Sequence, residues 1–370
     1  MPAKLNAGER VAEALHFQQR ILPEVSRTFA LTIPQLPAGL YECVANAYLL
    51  CRIADTIEDE PALTTAEKDR FQQRLVGVIA GDEPARGFAE ELVPRLSDAT
   101  LPAERELIAG TAWVVTYTHT LQRRQQQALL HCVAIMGKGM SQYQRDAGPQ
   151  GLVALPDLDE YCYYVAGVVG EMLTDLFCSH DARIERQYAQ LMRLAPSFGE
   201  SLQLINILKD VWADRARGVC WWPREVFERH GVELEQLEQY RGTDGYRAAL
   251  DELIGVAHGH LRNALAYTLR IPARQRGIRQ FCLWALGLAV LTLRNIHARP
   301  DYAAAAEVKV SRRRVKQVML ASRLAGRSDR LLRGLFGLAA RGLPLQRVEA
   351  VELPSRWLES DPPALHQIAQ

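Results

Sequence analysis

Two acidic pairs with the same internal spacing constrain this chain most: Asp55 and Asp59 in CRIADTIEDE, and Asp210 and Asp214 in NILKDVWAD. A four-residue step stacks two carboxylates on one face of a helix, where they repel. Such a pair costs an isolated helix roughly 0.2–0.5 kcal/mol. Both pairs lie among apolar residues, where an uncompensated charge is worse than on a solvated surface. The two segments are therefore expected to be helices whose acidic faces turn into the protein, with a cation there to offset them.

The rest of the chain agrees with a helical reading. Ala, Leu, Gln, Glu and Arg recur with helical period, and alternating β-branched runs are few. Breaks fall at Pro34 and Pro37, around residues 81–84 and 148–156, at Pro196, around 218–223 and 242–245, and at Pro272. The spacing predicts an all-α fold of long helices joined by short loops. Pro156 with Asp157 and Asp159 marks a helix start before YCYYVAGVVGEMLTDLF, which is apolar nearly all round and so expected to be buried or to line a cavity. Gly167 and Gly170 cost that helix stability and mark close packing or room for a ligand. No repeat of 20–50 residues argues for a solenoid. Residues 1–325 read as one helical domain and 326–370 as an amphipathic helix and mobile tail. The basic, amphipathic stretch LLRGLFGLAARGLPLQ suits a last helix packed on the body, or one lying on a membrane surface.

Composition removes several function classes. The 44 basic and 43 acidic residues nearly cancel, which argues against a general nucleic-acid binder. Seven scattered cysteines without a C-x-x-C pair read as reduced thiols, not as a disulfide frame or a zinc site. The N-terminal stretch mixes charge signs and has no signal-like apolar core, and the longest apolar run, 281–291, is short of the roughly 20 residues that span a bilayer. A cytoplasmic protein is expected, with any membrane contact peripheral and on the cytoplasmic face.

Each acidic pair has companions. Tyr48, Arg52, Asp55 and Asp59 follow at steps of four, three and four, and Gln203, Asn206, Asp210 and Asp214 at three, four and four, so each set shares a helical face. Carboxylate and amide oxygens select magnesium, or manganese, over zinc. Magnesium is commonly held by one or two carboxylates together with a ligand's phosphates, so opposed acidic faces imply a diphosphate-bearing substrate. Arg27, Arg52 and Lys209 are placed to neutralise its oxygens. No P-loop or dinucleotide turn is present, which disfavours ATP chemistry.

SRTFALTIPQL, YLLCRIADTIEDE, YCYYVAGVVG and QLINILKDVWAD, in this order, resemble the motifs of the squalene/phytoene synthase family. The resemblance runs from about residue 26 to 319, and FCLWALGLA and EVKVSRRRVKQVML are similar to squalene synthases more than to phytoene synthases. It implies an isoprenoid-synthase helical bundle around a central apolar cavity. The implied reaction joins two farnesyl diphosphates head to head into presqualene diphosphate and then reduces it with NADPH to squalene. It implies that Asp55, Asp59, Asp210 and Asp214 hold magnesium, and that Ser26, Arg27, Tyr48, Arg52, Gln203 and Asn206 bind substrate. Tyr164 matches the tyrosine that stabilises the cation or assists proton removal, and Phe281 is expected to face the reacting chains.

Two positions depart from the family pattern. Val219 stands where an arginine is common, with Arg217 as the nearest substitute, and Ser311 follows Lys309 where a second basic residue is common. Lys309, Arg217 and Arg312, the last within the run Arg312 to Arg314, remain the candidates to bind NADPH. The departures keep open a presqualene-diphosphate, dehydrosqualene or phytoene synthase without the reductive step. A non-catalytic helical scaffold at a membrane surface is the remote alternative.

Overall fold

The computed structural model describes residues 6–26, 29–146 and 148–350. The described residues are helical throughout their ordered elements and contain no strand; one isolated parallel bridge joins Leu152 and Pro223. The all-α expectation holds among the described residues. The helices divide between two compact units, the described residues of 1–145 with 175–185, and those of 146–174 with 186–353.

In the first unit, α1 (Ala7–Val25) opens on a capping box between Asn6 and Glu9. It packs on α2 (Leu40–Asp59), which carries the first acidic pair. A buried polar knot fixes them: the Asn46 amide donates to Val114 O at 2.9 Å and to Gln18 of α1 at 3.3 Å, and Thr118 donates back to Asn46 at 2.8 Å. Three further helices support α2, namely α3 (Thr65–Ala80), α4 (Pro102–Ala109) and α5 (Arg123–Asp146). The last carbonyls of a helix lack partners within it. Here Glu58 O accepts from Lys68 of α3 and from Gln144 of α5, the latter at 2.7 Å, and Gln72 of α3 donates to Ala54 O at 2.9 Å. Just beyond the helix, Glu60 is buried and accepts from Ala62 N, Ser97 N and Thr100. The end of α2 that carries Asp55 and Asp59 is thus held from several sides.

In the second unit, α6 (Leu155–Cys162) starts where the proline and aspartate signals placed it, with Asp157 accepting from Ala154 N at 2.8 Å. The segment that follows differs from the expected single helix. Residues Tyr163–Gly167 form a π turn before α7 (Val168–His180) begins. The turn packs against α8 (Ala195–Ala216), which bears the second acidic pair, and α8 in turn lies on α9 (Asp244–Arg270) and α10 (Arg276–Ala298). Tyr302 ties α8 down at two points, accepting from Trp212 Nε1 at 2.7 Å through its carbonyl and donating its hydroxyl to Leu208 O.

The helix α10 outruns the apolar segment 281–291: with 23 residues it is long and apolar enough to cross a membrane by length and composition. More than half of it is buried in the unit, where Phe281, Trp284, Leu286 and Leu293 face neighbouring helices, so it serves as a core helix. After a single turn of helix at Ala305–Val308 come α11 (Arg312–Ala325) and α12 (Asp329–Ala339). The buried Arg279 guanidinium of α10 anchors this turn, donating to Asp329 at 2.6 Å, Gly326 O at 2.8 Å and Leu269 O at 3.2 Å. The chain then runs back along α9, with Gln346 N donating to Gly255 O and His258 Nδ1 in hydrogen-bond contact with Pro344 O. The later residues of the expected tail, 351–370, lie outside the described residues.

Candidate active site

On α2 the four side chains of the first stripe share one face, as their spacing requires, and exposure rises along it from half-buried Tyr48, Arg52 and Asp55 to exposed Asp59. Tyr48 donates to Val25 O at 3.0 Å and accepts from Arg52 Nη2 at 3.0 Å. Its ring also contacts Phe29, with centroids 5.4 Å apart. The phenol thus sets the guanidinium, whose Nη1 lies 3.9 Å from Asp55 and 3.8 Å from Glu104 of α4. Burial works against the Arg52 charge, but Asp55, Tyr48 and Glu104 outweigh it.

Asp55 keeps 34% of its side-chain surface yet is closely surrounded by protein. Burial raises its carboxyl to about 6; Arg52 opposes the rise, and Asp59 and Glu104 add to it. The repulsion inferred from the four-residue step is therefore present in the folded protein. A carboxylate held up in this way is one that a divalent cation would stabilise. Beside it, Arg52 Nε is buried without a hydrogen-bond partner, which suits an anionic oxygen. The donor set fits a hard cation with its diphosphate.

Ser26 is buried and its hydroxyl accepts from Phe29 N at 3.0 Å, so it starts the short helix that follows. Arg27 lies outside the described residues. Glu104 was not singled out in the sequence. It sits at the third position of α4, where PAERELIAG reads as an ordinary helix start, and only tertiary packing brings it to Arg52.

On α8 the apolar neighbours Leu204, Ile205, Ile207, Leu208 and Val211 are buried, while the polar stripe is mixed: Asn206 is exposed, Gln203, Lys209 and Asp210 are half-buried, and Asp214 is buried. Each carboxylate already has a cation. Lys209 Nζ lies 3.1 Å from Asp210 and 3.0 Å from the Asn206 carbonyl oxygen, and Arg217 donates to Asp214 at 2.7 Å. Arg217, singled out for a cofactor, is thus placed on the acidic pair. Val219 is half-buried and spends its N–H on Asp214 O at 3.1 Å.

Tyr164 lies in the π turn, half-buried and edge-on to Tyr163 with centroids 5.8 Å apart, and Tyr163 donates to the buried Glu171 at 3.0 Å. Single π turns in otherwise α-helical segments often mark functional positions. Phe281 is buried on α10. Lys309 is exposed, and Ser311 caps α11 by accepting from Arg314 N, which gives the serine a reason to stand where a base was expected. Arg312 is exposed in the first turn of α11. All seven cysteines are free and buried, in keeping with the absence of a disulfide frame expected from their spacing.

The sequence profile described as squalene/phytoene synthase matches residues 22–314. The squalene synthase of Saccharomyces cerevisiae is 29% identical over 279 residues, which cover 74% of this chain and 59% of the yeast protein. The chain spans about three fifths of the length of the curated squalene synthases it matches first, those of Eremothecium gossypii and yeast. Among solved structures, TcSQS in complex with a ligand superposes with a TM-score of 0.68 at 23% identity, covering 94% of this chain and 95% of that one. A dehydrosqualene synthase gives 0.63 at 22% identity, covering 86% and 98%. At these identities the structures speak for the fold, whereas the profile covers well over half of the sequence: the chain belongs to the squalene/phytoene synthase family.

Proposed function

We propose that this protein is a magnesium-dependent prenyltransferase of the squalene synthase type, which joins two farnesyl diphosphates head to head and reduces the presqualene diphosphate with NADPH to squalene. The observation that carries the reading is the Tyr48–Arg52–Asp55 constellation, with a raised carboxyl and a charged, partly unsatisfied guanidinium on one helical face of a family member. Asp55, Asp59, Asp210 and Asp214 are the residues to hold magnesium, which supplies Lewis-acid stabilisation of the departing diphosphate. Arg52, Lys209 and Arg27 bind diphosphate oxygens, with Ser26, Tyr48, Gln203 and Asn206 orienting them. Tyr164 holds the allylic cation or takes its proton. Phe281 on α10 packs against the prenyl chains and keeps water from them.

The reductive step rests on α11. Three arginines in the first turn of a helix oppose the favoured charge pattern there, since that end favours anions. Arg312 with Arg313, Arg314 and the preceding Lys309 therefore suits the phosphates of NADPH. The second reading, a synthase that stops at presqualene diphosphate or makes dehydrosqualene or phytoene, is favoured by Val219 and by the capping task of Ser311. Product analysis separates them. With farnesyl diphosphate and magnesium, squalene is expected when NADPH is present and presqualene diphosphate when it is withheld. A product profile indifferent to NADPH, or a hydrocarbon formed only from geranylgeranyl diphosphate, would overturn the assignment.

The protein also works, in this reading, as a peripheral enzyme on the cytoplasmic face of a membrane that receives its product. Leu331, Leu335 and Leu338 lie on one face of α12 with 58%, 42% and 62% exposure, and Leu320 and Leu324 are exposed on α11. Residues 309–345 hold ten Lys or Arg and one acid, Asp329, which is paired with Arg279. Basic charge around exposed leucines suits an anionic bilayer. Co-sedimentation with phosphatidylserine-containing vesicles is expected to exceed that with neutral vesicles. Burying a leucine is worth roughly 1.5–3 kcal/mol, so the double change Leu331→Ser with Leu335→Ser should weaken binding by at least about tenfold. Equal pelleting of variant and wild type would refute the contact.

A further inference from the structure

Three side chains that the proposed reaction leaves unused meet inside the second unit. His260 of α9 has a side chain only 2% exposed. Its Nε2 lies 3.2 Å from Asp159 Oδ1 on α6, and its Nδ1 lies 3.2 Å from Glu200 Oε2 on α8 and 3.2 Å from Ser197 Oγ. Apolar Leu158, Leu204 and Val256 surround the group. A neutral imidazole can donate from one nitrogen only, so a carboxylate at each nitrogen is satisfied by the protonated ring. The titratable groups facing the ring are Asp159 and Cys162 of α6 and Glu200 of α8.

Both carboxylates bear on the π turn. Asp159 stands on the helix that leads into it. Glu200 lies under its far end, where a Cβ added to Gly167 would come within 3.2 Å of Glu200 Oε1. We propose that protonated His260 is a positioning residue that clamps Asp159 before the π turn and Glu200 beneath it, and so fixes Tyr164 for the prenyl-transfer reaction. The role assigned to Tyr164 rests on the function proposed above; the clamp rests on the three side chains alone.

Burial works against the charged ring, but the hydrogen bonds from Asp159 and Glu200 outweigh it and hold its pKa at about 9. Burial, then Glu200 and Asp159, push the Cys162 thiol well above its ordinary value, so it stays neutral beside them. The folded pKa of His260 lies above the ordinary 6.5. Its contribution is therefore complete below about 6.5, declines as pH rises and is gone above about 9.

The test uses the full chain, with kcat and KM for farnesyl diphosphate followed from pH 6.5 to 10. Wild-type kcat is expected to fall through about pH 9 while KM stays within about twofold, because the clamp sets geometry and not binding. His260→Gln should lose roughly tenfold to a hundredfold in kcat at pH 7, keep KM, and lose the alkaline fall. Asp159→Asn, which removes the more exposed partner, should move that fall to lower pH, and it serves if the glutamine variant does not fold. Wild-type kcat and an unchanged alkaline limb in these variants would overturn the clamp even if thermal stability dropped. The three ligands also lie within 4.8 Å of one another. One equivalent of zinc taken up by wild type and lost in His260→Gln would overturn the proton in favour of a metal. Should wild type turn over no prenyl diphosphate, the assigned reaction fails and the clamp is read by imidazole NMR. Titration near 9 that moves down in Asp159→Asn sustains it, and titration at the ordinary 6.5 refutes it.

Discussion

Replacing Asp55 with asparagine should lower turnover of farnesyl diphosphate by roughly two to three orders of magnitude, the loss that follows removal of one preorganised charge-stabilising contact. The folded protein should melt no lower than wild type. Two terms set that sign. Burial penalises the ionised carboxyl, and Asp59 and Glu104 repel it, against the single opposing attraction of Arg52. The amide removes all three, and Arg52 keeps Glu104 and Tyr48 as partners. Because the folded-state pKa of Asp55 lies above its ordinary 3.8, the wild type is penalised fully above about 6 and not at all below about 4. The advantage of the variant in melting temperature should therefore grow as pH rises between those limits. Magnesium affinity of the wild type should rise over the same range and weaken as pH falls through about 6, and the variant should lose that dependence. A variant that retains turnover, or melts well below wild type at pH 7, would remove Asp55 from the proposed metal site.

The parts of this site readable in the sequence are those that depend on one helix. Tyr48, Arg52, Asp55 and Asp59 share a face because helical spacing alone brings them together, and the Tyr48–Arg52 hydrogen bond follows from a four-residue step. Glu104 was not readable, since its approach to Arg52 depends on how α4 packs on α2. The same holds for His260, Asp159 and Glu200, which come from three helices. The Arg217–Asp214 pair, three residues apart, lies within reach of helical spacing. Ser311, a departure when compared with that pattern, is an ordinary cap once the helix start is seen. The π turn left almost no trace, because one widened turn barely disturbs the helical period of YCYYVAGVVG. Its sequence signals are Gly167 and Gly170; the glycine that meets it from α8, Gly199, stands far along the chain and only packing brings it there.

Gly199 is where that turn is most exposed to a single change. A Cβ built on Gly199 falls 1.8 Å from Ala166 O and 2.4 Å from its carbonyl carbon, and one on Gly170 falls 2.1 Å from Ala195 O. The obstacles are backbone atoms, which cannot swing aside as a side chain would. Gly199→Ala must therefore push α8 off the π turn. Overpacking of a core costs typically about 1–3 kcal/mol, and a clash with backbone places this one at the upper end or beyond. The displacement touches both sides of the proposed chemistry, since Tyr164 rides on the turn and Gln203 lies one helical turn along α8 from Gly199. Shifts of about 1 Å at reacting groups cost on the order of a hundredfold in rate, so turnover should fall with the melting temperature. Gly334 supplies the contrast. It lies within α12 with nothing near its missing Cβ, and Gly334→Ala should stabilise the protein by roughly 0.5–1 kcal/mol through helix propensity, with turnover unchanged. One substitution, made at two helical glycines, is thus expected to act with opposite signs, because only at Gly199 does the fold depend on two backbones meeting. Wild-type stability and turnover in Gly199→Ala would mean that α8 and the π turn do not touch in this way, and that Tyr164 is held by other contacts.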